Sequence, residues 1–86
     1  MDSLSKYRKD IDQIDKKILK LLKKRIIVVE KIGKIKKING KEVKDPSREK
    51  AKINTLIIEA RALGINEEVI KNVWHALFKI SYKIEK

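Results

Sequence analysis

The 86-residue chain contains no cysteine, a single histidine, one proline and three glycines. Without cysteine it can form neither a disulfide framework nor a zinc site of the common Cys type, and His75 alone cannot build a histidine cluster for metal binding or catalysis. No run of about 18 apolar residues is present, so no membrane span is predicted. The N-terminal segment lacks the apolar core of a secretory signal. We therefore expect one small domain over residues 1–86, cytoplasmic and without metal or cofactor.

Basic residues are in large excess, with 23 Lys+Arg against 12 Asp+Glu and a formal net charge of +11. Most of the cations are lysines, a trait that often belongs to a genome or a hot habitat and is a weak functional signal. Arginine is different, because its planar guanidinium makes bidentate contacts with carboxylates and phosphates. The candidates for anion binding are therefore the four arginines, Arg8, Arg25, Arg48 and Arg61.

The first third of the chain carries a long apolar seam with alternating spacings of three and four, which predicts one long helix of coiled-coil type. Its members are Leu4, Tyr7, Ile11, Ile14, Ile18, Leu21, position 25, Val28, Ile32 and Ile35. Ser3 is the predicted N-cap of this helix, and Asn39-Gly40 predicts its C-terminal end.

Two shorter helices follow, each with its own start signal. Asp45-Pro46 predicts the beginning of the second helix, a capping side chain followed by proline at the first helical position, and Leu63-Gly64 predicts its end. Asn66 predicts the start of the third helix, which runs to the C-terminus. No strand alternation occurs, so the predicted fold is all-α, with one long and two shorter helices.

The length of the first helix predicts the oligomeric state. About 35 residues make a helix of roughly 52 Å, whereas a compact globule of this size has a diameter of roughly 30 Å. Two shorter helices cannot cover an apolar seam that long. A second copy related by a two-fold axis is the commonest solution, so we expect an intertwined homodimer.

Each helix also carries polar groups on the apolar face that is expected to be buried. These groups are Arg25, Lys36, Glu49, Ser81 and Glu85. One such residue is usually structural, for example a charge that sets a coiled-coil register. Five across three helices favour a shared polar pocket, because an unpaired buried charge costs several kcal/mol.

The geometry of the first helix limits which groups can share this pocket. Arg25 and Lys36 lie on one face, about 16 Å apart along the axis, whereas Arg8 is about 26 Å from Arg25 and rotated by roughly 100°. Arg8 can reach the same ligand only from a partner chain in an antiparallel dimer. A cation-rich site built from two subunits suits a small dicarboxylate.

The chain resembles the all-helical class of chorismate mutases in the order and spacing of five motifs. They are R-x-x-I-D-x-I-D (Arg8 to Asp15), L-x-x-R (Leu22 to Arg25), G-K-x-K (Gly33 to Lys36), D-x-x-R-E (Asp45 to Glu49) and S-x-x-x-E (Ser81 to Glu85). Each motif is weak alone, but together they cover nearly the whole chain. The resemblance implies a dimer with two sites, each borrowing one arginine from the partner.

The resemblance also implies residue roles. Arg8 of the partner and Arg25 hold the two carboxylates of chorismate, assisted by Ser81, while Lys36 donates to the ether oxygen. Glu49 and the backbone at Asp45 bind the ring hydroxyl, and Arg48 supports the polar cluster. The apolar walls are Val29, Ile32 and Phe78. Arg61 and His75 match no motif and are interpreted as surface or structural residues.

Glu85 departs from the commoner pattern of the family, in which a glutamine amide donates to the ether oxygen. An ionised Glu85 can only accept a hydrogen bond, so it must be protonated to help. We therefore expect a rate that falls as pH rises and a Glu85→Gln variant that relieves the fall.

Three other functions remain open. A basic helical dimer that binds nucleic acid would explain the net charge, but the aromatic residues lie at apolar positions instead of between the lysines. A purely structural coiled-coil dimer would leave the motif match a coincidence. Within the family, isochorismate-pyruvate lyase uses a similar cationic pocket.

Overall fold

A computed structural model describes residues 2–86 and contains three helices. They are α1 (Ser3–Ile38), α2 (Pro46–Ala62) and α3 (Glu67–Glu85), and no strand forms within the described residues. The all-α fold with one long and two shorter helices, expected from the apolar spacing, is confirmed.

The cap of α1 differs from the prediction by one residue. Asp2, not Ser3, is the N-cap, and its carboxylate accepts a hydrogen bond from the Leu4 N–H at 3.0 Å. Both residue types cap helices well, so residue type alone does not distinguish Ser3 from the aspartate that precedes it. Ser3 instead becomes the first residue of the helix.

The remaining boundaries follow the predicted signals. Asp45 caps α2 with Pro46 in its first turn, and Asn66 caps α3. Gly64 has φ +72° directly after α2, and the next amide donates back to Ala60 O at 2.9 Å, which closes a Schellman motif. Gly40 has φ +64° and closes the end of α1 in the same way.

Helix α3 is the centre of the chain, because it packs against both α1 and α2. The buried core between α2 and α3 is small and consists of Ile57, Ala60 and Ile70, with Ile53, Leu56 and Trp74 packed around it. Against α1, the contact of α3 involves the second half of α1, where Val29 and Gly33 are buried. Leu63, the C-cap of α2, is 75% exposed.

The molecule is elongated, with extents of 59 × 25 × 15 Å. Its radius of gyration is 16.4 Å, compared with about 12 Å for a compact chain of this length. The first half of α1 projects beyond the rest, and its seam residues are 50–63% exposed: Leu4, Tyr7, Ile11, Ile14, Ile18 and Leu21. The overhang predicted from helix length is present, and the dimer that would cover it stays a prediction.

Among the helices of residues 2–86, none combines the length and the apolar composition that crossing a bilayer needs.

Candidate active site

A cavity of about 170 Å³ lies where the second half of α1, the start of α2 and the end of α3 meet. Its lining combines charged groups with an apolar wall. The lining residues are Arg25, Val29, Ile32, Lys36, Asp45, Arg48, Glu49, Lys52, Phe78, Ser81, Tyr82 and Glu85.

Seven of the eight site residues predicted from the sequence line this cavity, together with the three predicted wall residues. The exception is Arg8, which lies in the first half of α1 and is exposed. Within one chain the structure therefore brings together every predicted group except the one expected from a second copy.

Arg25 is held in place by α3. Its Nη1 donates to Ser81 Oγ at 2.6 Å, and Ser81 Oγ in turn donates to the Leu77 carbonyl, one turn earlier, at 2.9 Å. Ser81 is buried, so its hydroxyl has a fixed environment. Because a guanidinium has five N–H donors, Arg25 keeps further donors for an anion in the cavity.

Lys36 is held by one ion pair and one hydrogen bond. Its ammonium lies 2.6 Å from Glu85 Oε1 and donates to the Val43 carbonyl at 2.7 Å. The Glu85 side chain is 5% exposed and that of Lys36 is 20% exposed, so the pair is largely shielded from water. Only the contact with Val43 is a hydrogen bond, because Glu85 Oε1 has no hydrogen-bond partner within residues 2–86. An ammonium has three donors, so donors remain for a ligand oxygen.

Gly33 allows the end of α3 to approach α1. A Cβ at this position would lie 3.0 Å from Glu85 Cα and 3.4 Å from Glu85 Cγ. Any larger residue would push the last turn of α3 away. The glycine of the G-K-x-K motif therefore sets the contact that brings Glu85 to Lys36, three residues further along α1.

The start of α2 forms the opposite wall. The Asp45 carboxylate accepts from the Arg48 N–H at 3.1 Å, which caps the helix and fixes the first turn. Arg48 and Glu49 follow on this turn and line the cavity. The N-terminus of a helix carries partial positive charge, which favours negative groups here.

Sequence reasoning missed two lining residues, Lys52 and Tyr82. Lys52 follows Arg48 by four residues, and Tyr82 follows Phe78 by four, so helical spacing from the predicted residues was the signal that could have found them. The Tyr82 hydroxyl accepts from the Asp45 N–H at 3.4 Å. Burial and the nearby carboxylates of Glu49 and Glu85 raise the pKa of the Tyr82 phenol.

The cavity is cationic. Four basic side chains face three carboxylates, Asp45, Glu49 and Glu85, which gives the lining a formal net charge of +1. No group of three or more potential metal ligands occurs among residues 2–86. Fold and site together define a small helical protein with a cationic cavity suited to a small organic anion.

The chorismate mutase type II family matches residues 7–86 of the chain. The chain therefore belongs to this family, and the resemblance noted in the motifs is confirmed.

Three curated relatives illustrate the similarity. The T-protein of Haemophilus influenzae is 32% identical over 85 residues, covering 99% of this chain and 22% of the relative. The bifunctional chorismate mutase/prephenate dehydratase of Buchnera aphidicola is 33% identical over 85 residues, covering 99% of this chain and 22% of the relative. The chorismate mutase of Methanocaldococcus jannaschii is 28% identical over 86 residues, covering all of this chain and 87% of the relative.

The chain spans about a fifth of the length of the first two of these relatives. No solved structure gives a significant match to it.

Proposed function

We propose that this protein is a chorismate mutase, which rearranges chorismate to prephenate in aromatic amino-acid biosynthesis. The observation that carries the proposal is the gathering of seven motif residues around one cationic cavity, in a chain of the chorismate mutase type II family. Several of these residues also bind one another, but the lining keeps a formal net charge of +1, which suits a small organic anion.

The reaction needs no nucleophile and no proton transfer, since a carbon–oxygen bond breaks while a carbon–carbon bond forms within one molecule. The flexible enolpyruvyl arm must be folded over the ring, and clamping both carboxylates does this. Arg25, fixed by Ser81, holds one carboxylate in this proposal. Asp45, Glu49 and the adjacent Arg48 hold the ring hydroxyl and its surroundings.

Lys36 accelerates the reaction in this mechanism by stabilising the transition state. Negative charge grows on the ether oxygen as its bond to the ring breaks. A fixed ammonium therefore binds that oxygen more strongly in the transition state than in the ground state. The ion pair with Glu85 and the hydrogen bond to the Val43 carbonyl in the free protein restrict where the remaining donors of Lys36 can point.

Glu85 acts in this proposal as a second donor to the ether oxygen, which requires its carboxylate to take up a proton when the substrate binds. In the free protein its Oε1 lies against the Lys36 ammonium. Substrate binding must then reorganise this pair, so that Lys36 and Glu85 both face the ether oxygen.

A homodimer completes the site in this proposal. The exposed seam on the first half of α1 pairs with its copy, and Arg8 of the partner binds the second carboxylate. Its guanidinium would raise the formal charge of the lining to match a dianion. We further propose a cytoplasmic location, catalysis without cofactor, and a lysine-rich outer face that is solvated and does not bind nucleic acid.

The test of the activity is to incubate the purified protein with chorismate and to follow its loss and the appearance of prephenate. Isochorismate is offered in parallel, because release of pyruvate from it would identify a lyase instead. No turnover of either compound would refute the proposal.

The shared site is tested by mixing two inactive variants, Arg8→Ala and Lys36→Ala. In a mixed dimer with shared sites, one site keeps both Lys36 and the partner's Arg8, and the other loses both. Random exchange of subunits should restore about a quarter of wild-type activity. If each chain builds its whole site alone, mixing restores nothing.

A further inference from the structure

Tyr82 joins two walls of the cavity through its hydroxyl. It lies on α3, one turn after Phe78, and is half-buried. Its hydroxyl accepts from the Asp45 N–H at 3.4 Å, and Asp45 is the N-cap of α2. The phenol therefore links the end of α3 to the residue at which α2 begins.

Glu49 lies one turn into α2, where its N–H donates to the Asp45 carbonyl at 3.1 Å, and its side chain lines the same cavity as Tyr82. Burial, followed by the influence of the nearby Glu49 carboxylate, raises the pKa of the Tyr82 phenol above its usual value. The phenol is therefore neutral at physiological pH and has a proton to donate. With one donor and its acceptor lone pairs, the hydroxyl can accept from Asp45 and donate to Glu49 at once.

We propose that Tyr82 is a positioning residue that fixes the Glu49 carboxylate for substrate binding. This inference rests on the proposed function, in which Glu49 accepts from the ring hydroxyl. In this proposal the phenol donates to one carboxylate oxygen, and the other oxygen remains available to the ring hydroxyl. A glutamate free to rotate would lose side-chain entropy on binding, and pre-organisation removes that cost.

The kinetic consequence is a change in binding more than in chemistry. The ring hydroxyl is not part of the bonds that break and form, so its hydrogen bond is worth nearly the same in the ground state and in the transition state. Tyr82→Phe should raise KM about tenfold, as expected for one hydrogen bond to a charged group, with kcat changed less than about twofold.

The first experiment is a double-mutant cycle of Tyr82→Phe and Glu49→Gln, with KM and kcat measured for each variant. If Tyr82 acts through Glu49, the phenylalanine changes KM strongly in the wild-type background and little in the Glu49→Gln background. Equal effects in both backgrounds would overturn the proposal. Thr55→Val is the matched control, because it removes an exposed hydroxyl from α2 that bonds only its own helix at Ala51.

The second experiment needs no substrate and keeps Tyr82 intact. In a Tyr7→Phe background Tyr82 is the remaining tyrosine, so its ionisation can be followed by ultraviolet absorbance. Glu49→Gln removes a negative charge and replaces one of the two acceptor oxygens with an NH₂ donor, so the phenol pKa should fall. Glu85, the other carboxylate acting on the phenol, is replaced by Gln as a comparison and should have the smaller effect.

The two experiments separate the possible failures. An unchanged phenol pKa in Glu49→Gln would refute the coupling of Tyr82 to Glu49, whatever the enzyme does. A protein that does not convert chorismate but shows the fall would refute the proposed function and leave the coupling standing.

Discussion

The two halves of α1 share one apolar periodicity but have different surroundings. In the first half, up to Lys24, every described side chain except the half-buried Leu22 is exposed. In the second half Val29 and Gly33 are buried against α3, and Arg25 and Lys36 point into the cavity. One chain therefore covers only the part of α1 that carries its own site residues, and Arg8 lies in the part that it leaves uncovered.

This difference indicates how stability and function are divided along the helix. The second half obtains its order from α3, through contacts such as Arg25 to Ser81 and Gly33 to Glu85. The first half has no such contacts within the chain, and most helical stability in proteins comes from packing of an apolar face. Substitutions in the second half should therefore lower turnover directly, whereas substitutions in the first half should weaken the predicted dimer.

The largest effect is expected in the second half, from Lys36→Ala. Loss of the ammonium should lower kcat at least a hundredfold, about 2.7 kcal/mol of transition-state stabilisation, in a steady-state assay with chorismate. Lys37→Ala, an exposed neighbour on the same helix, is the control and should retain activity.

Lys36→Ala also leaves the buried Glu85 carboxylate without its partner, which should lower Tm. The double variant Lys36→Ala/Glu85→Gln removes that unpaired charge and should recover Tm without recovering kcat. A Lys36→Ala enzyme with only a mild loss of turnover would remove Lys36 from the proposed role.

The second prediction concerns the first half, where Ile14→Lys places a charge in the exposed seam. If a second copy covers the seam, burial of the charge should weaken the dimer by several kcal/mol and lower activity at least tenfold at low protein concentration. Size-exclusion chromatography with light scattering reports the mass. Gln13→Lys adds the same charge one position away from the seam and should remain dimeric. An active Ile14→Lys dimer would show that another surface forms the interface.

The third prediction, Glu85→Gln, tests the residue of α3 that pairs with Lys36 in the second half of α1. A carboxyl group can donate a hydrogen bond only while it carries its proton, whereas a glutamine amide donates at every pH, so kcat should fall with rising pH in the wild type and not in the variant. At mildly alkaline pH the variant should be about tenfold faster than wild type. Glu59→Gln, on the exposed face of α2, is the control. Flat profiles of kcat against pH in both proteins would contradict the role of Glu85.

The fold and most of the site could be predicted from the sequence for physical reasons. Helical spacing and capping residues act locally, so Asp45, Asn66 and Gly64 marked their boundaries. Charged groups on apolar faces are costly unless they meet, and this requirement identified Arg25 and Lys36 from their helical spacing alone.

What the sequence did not supply depends on how the helices face each other. Tyr82 fits an apolar helix face and Lys52 fits a solvated one, so neither stood out until α2 and α3 were placed around the cavity. Periodicity gives the inner face of a helix but not its neighbour. For the same reason the partner of the seam near Ile14 stays a prediction.

The smallest effect is expected from Lys52→Gln, which tests whether the charge of the cavity assists binding at a distance. Lys52 lines the cavity but is exposed, so its attraction for a dianion is screened by water and salt. KM should rise about threefold at low ionic strength, in line with exposed charge pairs, with kcat unchanged. The difference should vanish at high salt. Lys50→Gln, outside the lining of this cavity, is the control. A change in kcat that persists at high salt would mean that Lys52 contacts the reacting atoms, and the cationic character of the cavity would then belong to the chemical step as well as to binding.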